Sequence, residues 1–212
     1  CIPSIQYSDP QNPAVNNVIR GYPMGFFGYM MRPEDSCFTY GIGVFAPAGF
    51  GADYFQTSPI FGNTLYRSLG LMAKVLPAIS YQVNDRLSVG GTLGLALGHI
   101  SLAGPFFVQT GPFAGTPTLL DLHATGVAAC GGLGLQYILT DQTTMGISYT
   151  EQTTFHMDGN ARATFGPLVS GFDAKAGIKW PRSLGIGFKH NLCCCQRVGV
   201  DFVWYNWHQA FS

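Results

Sequence analysis

From Leu87 to Leu97 the odd positions read Leu87, Val89, Gly91, Leu93, Leu95 and Leu97, while the even positions read Ser88, Gly90, Thr92, Gly94, Ala96 and Gly98. Successive side chains on a strand point to opposite faces, so this stretch makes one leucine-rich face and one small, uncharged face. The preceding run alternates in the same way, with Leu69, Leu71, Ala73, Val75, Ile79, Tyr81 and Val83 on one face and Lys74, Ser80 and Gln82 on the other. Val83-Asn84-Asp85-Arg86 joins the two runs, and Asn and Asp tolerate turn geometry. The pair is a long hairpin.

The unit recurs. Val127, Leu133, Leu135, Tyr137 and Leu139 pass through Thr140-Asp141-Gln142 into Met145, Ile147 and Tyr149. Leu184, Ile186 and Phe188 pass through 191–196 into Val198, Val200, Phe202 and Trp204. Phe27, Tyr29 and Met31 pass through Arg32-Pro33-Glu34-Asp35 into Phe38, Tyr40, Ile42 and Val44. These four hairpins predict about eight strands over 22–211, after an irregular segment 1–21. Longer connections rich in Gly, Pro, Phe and Thr are expected at 48–68, 103–120 and 157–171. Short turns at one end and long loops at the other suit an antiparallel transmembrane β-barrel.

Composition points the same way. Of 212 residues only 10% are charged, 11 basic against 11 acidic, while 47% are hydrophobic. Ordinary soluble domains carry about 25% charge, and a water-covered surface needs it to stay dispersed. The balance gives no reason to expect a nucleic-acid partner. Glycine, proline or a polar residue interrupts each apolar run before it reaches helix-spanning length. Leu87 to Leu97 makes about ten rises of roughly 3.3 Å; at a tilt near 40° that covers roughly 25 Å, the height of the apolar band on such barrels. The competing fold is a soluble sandwich with the leucines inward, which would leave a face nearly free of charge to guard its edges.

Four further segments carry a resemblance. They are Gly41-Ile42-Gly43-Val44-Phe45-Ala46-Pro47-Ala48-Gly49-Phe50-Gly51; the hairpin from Pro77 to Gly90; Thr144-Met145-Gly146-Ile147-Ser148-Tyr149-Thr150 with Met157-Asp158-Gly159-Asn160-Ala161; and Trp180-Pro181-Arg182-Ser183 with Asp201-Phe202-Val203-Trp204-Tyr205-Asn206-Trp207. In this order they resemble the long-chain fatty-acid transporter family of Gram-negative outer membranes. The family has fourteen strands and an N-terminal hatch, and the chain resembles about the second to the ninth strand. Asn12-Pro13-Ala14 is similar to a hatch tripeptide. The opening at Cys1 in an irregular polar segment is expected of a processed or truncated chain.

The resemblance implies passive uptake of hydrophobic molecules (a long-chain fatty acid, detergent or lipid), a place in the outer membrane among its lipids, and a lateral exit at the kink Gly49-Phe50-Gly51. Phe106, Phe107 and Phe113, in an expected loop, make an apolar patch suited to an acyl chain. Lys74, opposite the leucines, is expected to point into the lumen and meet a carboxylate. Tyr81, Tyr137, Tyr149, Trp204 and Trp207 fit interfacial girdles.

No enzyme, cofactor or metal is expected. His99, His123, His156, His190 and His208 share no ligand spacing, no Gly-x-Ser-x-Gly elbow occurs, and Ala46 stands where a dinucleotide fingerprint needs its third glycine. Cys193, Cys194 and Cys195 are contiguous and form no regular disulfide framework. The reading from a different class is a structural or adhesive barrel with an idle lumen. A general porin ranks third, since charged pore rings are sparse.

Overall fold

Alternation this regular commits the backbone to strand, and the computed structural model, which describes residues 5–18, 25–193 and 196–210, is antiparallel sheet almost throughout. Two short strands, β1 (Gln6–Tyr7) and β2 (Val15–Asn16), pair with each other. The main sheet begins with β3 (Phe26–Met31), β4 (Phe38–Ser58), β5 (Gly62–Gln82), β6 (Leu87–Phe107) and β7 (Pro117–Thr140), each paired to the next. Next come β8 (Thr143–Thr150), β9 (Thr153–Phe165), β10 (Leu168–Trp180), β11 (Ser183–Cys193) and β12 (Gln196–Tyr205). A single helical turn, α1 (Trp207–Ala210), follows.

Both β8 and β9 pair with β7, β10 pairs with β9, and β11 lies between β8 and β12. Ser183 faces Thr150 and Trp180 faces Thr153, so register is unbroken from one ladder to the other. β8–β9 and β10–β11 are therefore two staves of one ribbon, interrupted only at 151–152 and 181–182. Counted this way, the sheet has the eight wall strands expected. Among the described residues β3 and β12 share no rung, so the sheet is an open half-barrel.

The expected long connections at 48–68, 103–120 and 157–171 are corrected. The strands run through most of them, leaving 59–61, 108–116 and 166–167 between strands. The alternation there changes phase instead of ending, as the site below makes plain. β4 to β7 are consequently 21 to 24 residues long, about twice what a tilted membrane strand needs.

The two faces of β6 behave as the leucines dictate. Leu93 is 76% exposed and Leu95 and Leu97 are exposed, whereas Ala96 is 0% exposed. Each outward residue stands beside another on the next strand: Leu95 by Val75 and Ala129, Leu97 by Ala73 and Val127. Ile42, Val44, Leu133, Leu184, Ile186, Val200 and Phe202 extend the exposed apolar surface around the sheet. Gln136, Ser148 and Asp201 border a groove on the opposite face.

The N-terminal segment is held to the upper half of β4. Asn12 accepts from the Thr57 N–H at 2.6 Å and donates to the Thr57 carbonyl at 3.1 Å, while the Val18 N–H reaches the Asp53 carbonyl. Cys194 and Cys195 lie outside the described residues.

Candidate functional site

In β4 three positions separate Phe45 from Ala48, but only two separate their partners Lys74 and Met72. Ala46-Pro47 thus contains one residue too many, at a proline that cannot donate to a ladder. A one-residue slip sends every following side chain to the other face. Below the bulge even residues such as Ile42 and Val44 point outward. Above it even residues point inward, and Phe50 stands opposite Gly70 with its ring over that glycine.

The ribbon repeats the device. From Thr150 to Asp158 it advances eight residues, while β7 advances seven between their partners Gly132 and Thr125. Met145, Ile147 and Tyr149 lie on the outward face of β8, level with Tyr137, Leu135 and Leu133. Four residues beyond Tyr149, the same odd positions carry Thr153, Phe155 and Met157, now turned inward and buried. Ile178 and Trp180 oppose Phe155 and Thr153 and turn with them. The polar positions are turned out in exchange, so His156, Asp158, Asn160 and Arg162 are exposed.

The two reversals face each other across the sheet. Phe50, Met72 and Ile100 on one side, and Phe155, Met157, Ile178 and Trp180 on the other, line an apolar cleft of about 70 Å³. Gly98 makes the approach possible: a side chain there would collide with Met157 and meet the Phe155 ring at 3.1 Å. Gly126 does the same for the ribbon, since its missing Cβ would lie 2.7 Å from the His156 carbonyl. Behind the cleft, Trp180 packs edge-on against Trp207 of α1 with centroids 5.7 Å apart.

Lys74 stands one inward position from Met72, between Phe45 and Ala96, and is 5% exposed. Among the described residues no acid or hydrogen-bond acceptor pairs with its ammonium. Cys130, buried nearby, is its electrostatic neighbour. Its stem is buried while its ammonium is not among the buried unpartnered polar atoms, so the charge is placed to meet a carboxylate that enters the lumen.

The other sequence-derived positions are placed differently. Gly49 and Gly51 sit beyond the kink, regularly opposed to Leu71 and Leu69; the irregularity itself is Ala46-Pro47. Phe106 and Phe107 belong to β6, opposite Thr118 and Pro117, and as neighbours on a strand they point to opposite faces. Phe113 lies in the loop beyond, its ring 6.4 Å from that of Phe165. The three phenylalanines therefore make no single patch. Phe106 is six rises from Ile100, about 20 Å along the strand. Sequence reasoning missed Phe155, Met157, Ile178 and Trp180, although the odd-numbered run from Met145 to Met157 was the signal. Among the described residues no cluster of metal-ligating side chains forms.

Comparison with known proteins supplies the wider frame. Residues 12–211 match the family described as outer membrane protein transport protein (OMPP1/FadL/TodX). No curated protein sequence matches. Among solved structures, the toluene transporter TbuX of Ralstonia pickettii superposes with a TM-score of 0.77 at 19% identity, over 93% of this chain and 59% of its own. The toluene transporter TodX of Pseudomonas putida gives 0.72 at 20%, over 92% and 57%. A FadL homologue of Pseudomonas aeruginosa gives 0.69 at 16%, over 92% and 50%. The chain thus spans between half and three-fifths of the length of these proteins.

Proposed function

The chain belongs to the outer membrane protein transport family of OMPP1, FadL and TodX, and from that premise we propose that it takes up small hydrophobic compounds passively through the outer membrane. The fold is that of an outer-membrane β-barrel, and the family consists of transport proteins, not enzymes. The apolar cleft carries the reading. Its enclosed volume is about 70 Å³, well below the roughly 300–1,000 Å³ of pockets for drug-sized ligands, so it suits a small guest or one part of a longer one. Its walls are aromatic and thioether side chains, which reward an apolar guest by removing its surface from water.

Two of the structural relatives are toluene transporters by name, and a monoaromatic guest suits the cleft. A long-chain fatty acid fits if its carboxylate reaches Lys74 and its tail lies along Met72, Phe50 and Phe155. In this scheme Phe106, Phe107 and Phe113 offer apolar contacts at the loop end, and release sideways uses the β4 irregularity beside Gly49, Phe50 and Gly51. The test is uptake by cells lacking their own transporter and supplied with the complete gene. Phe155→Ser with Trp180→Ser should weaken binding of an aromatic or acyl probe by at least tenfold, since each buried aromatic contributes about 1.5–3 kcal/mol. Unchanged binding in a correctly inserted double variant would remove the cleft from the mechanism.

A further inference from the structure

The lower rim of the cleft is polar. Lys74 on β5 and Cys130 on β7 both point inward, and the β6 residues between them, Ala96 and Gly94, have no bulk to hold them apart. The Lys74 ammonium is the electrostatic neighbour of the Cys130 thiol. Thr153 joins them from the ribbon. Counted from the rung between Thr125 and Asp158, Cys130 and Thr153 are each five residues away, so they share one level to within the extra residue of the bulge. Both are buried, and the Thr153 hydroxyl has no hydrogen-bond partner. Cys130 packs in one buried cluster with Met72, Phe155 and Met157, and Trp180 stands opposite Thr153, so the three polar groups adjoin the cleft.

An ammonium, a hydroxyl and a thiol are all hydrogen-bond donors. No acid pairs with Lys74 among the described residues, and Glu151, two residues from Thr153, is taken by the Tyr149 hydroxyl. A buried donor without an acceptor costs free energy, which a ligand bringing carboxylate oxygens recovers. The surroundings orient such a ligand. Above the donors Met72, Phe155, Met157 and Trp180 surround the apolar cleft, while below them the inward positions turn to Ser80, Thr92, Gly132, Gln136 and Ser148.

Size then selects the apolar part. The cleft encloses about 70 Å³, room for a ring rather than for an acyl chain. Its aromatic walls favour offset or edge contact with a ring, and thioethers at a ring edge add to this. Lys74 and Thr153 are one inward position from Met72 and Phe155, about 7 Å along the strand. A two-carbon tether between ring and carboxylate, met by the lysine stem, covers that step.

We propose that Lys74, Cys130 and Thr153 form a carboxylate cradle beneath the cleft, and that the compound taken up is a short arylalkanoic acid with its ring in the cleft. The inference rests on the uptake reading above and narrows it. The experiment is isothermal titration calorimetry on the complete protein in one detergent. Its probes are 3-phenylpropionate, the neutral 3-phenylpropanamide, ringless hexanoate and toluene.

The wild type should bind 3-phenylpropionate at least tenfold more tightly than the amide and several-fold more tightly than hexanoate, and the acid should displace toluene. Lys74→Met should bring acid and amide to parity, and Thr153→Val should shrink the preference several-fold. Parity of acid and amide in the wild type overturns the cradle, a comparison that stands even if a variant fails to fold. A preference that survives Lys74→Met overturns it too. Hexanoate bound as tightly as 3-phenylpropionate overturns the aryl assignment. A wild type that binds toluene but not the acid removes this proposal and leaves the uptake reading, whereas one that binds neither removes both.

Discussion

Single residues in this chain do work that their neighbours' positions define. Leu93 is useful only because its partner Gly131 carries no side chain beside it and leaves it the most exposed leucine of β6. Leu93→Arg should destabilise the barrel by about 2–4 kcal/mol near mid-bilayer, measured as a shift in reversible urea unfolding in lipid; a shift below 1 kcal/mol would place Leu93 away from hydrocarbon. Lys74 is informative for the opposite reason, as a largely buried inward cation with no ion pair among the described residues. Lys74→Met should weaken binding of a long-chain fatty acid several-fold and leave an uncharged hydrocarbon unaffected. Equal loss for both ligands would make its contribution one of packing. Gly98→Val should fill the cleft, because its side chain projects at Met157 and Phe155. Binding should fall while the barrel still inserts.

At the scale of elements, two one-residue bulges decide what each half-strand faces. The β4 bulge turns Phe50 from lipid to lumen, and the ribbon bulge turns Phe155, Met157 and Trp180 the same way. Deleting Pro47 should restore one uninterrupted register along β4 and β5 and send residue 50 outward again. Phe50→Cys reports this directly. In the parent it should react with a water-soluble maleimide from the lumen, and in the deletion variant with a lipid-phase reagent. Retention of aqueous labelling would mean that the bulge relocates elsewhere along β4. The same device explains why the β9–β10 hairpin presents charge outward: with its apolar face turned in, His156, Asp158, Asn160 and Arg162 take the surface. That half of the hairpin stands above the apolar band.

For the whole molecule, the half-barrel joins an apolar outer belt to a cleft built from the continuation of that belt. Below the bulges the apolar faces meet lipid; above them they meet one another across the lumen. Stability and function thus draw on the same residue types, separated only by register. Strands of 21 to 24 residues are long enough to carry both. The complete protein should accordingly show a far-ultraviolet spectrum dominated by strand and require detergent or lipid to remain monomeric. A helix-dominated spectrum, or a detergent-free monomer, would contradict the fold.

The four hairpins, the outward leucines and the inward Lys74 were legible in the sequence, because alternation is local and each strand reports its own two faces. Family resemblance was legible for the same reason, through short motifs at turns and strand ends. The cleft was not. A bulge in one strand is defined by the strand beside it, so neither Ala46-Pro47 nor the stretch from Glu151 to Met157 announces which way the following residues turn. The segments around them were read as loops because their alternation changes phase. Only the paired ladders count one residue against the next and bring Phe50, Met72, Phe155 and Trp180, distant along the chain, to a single site.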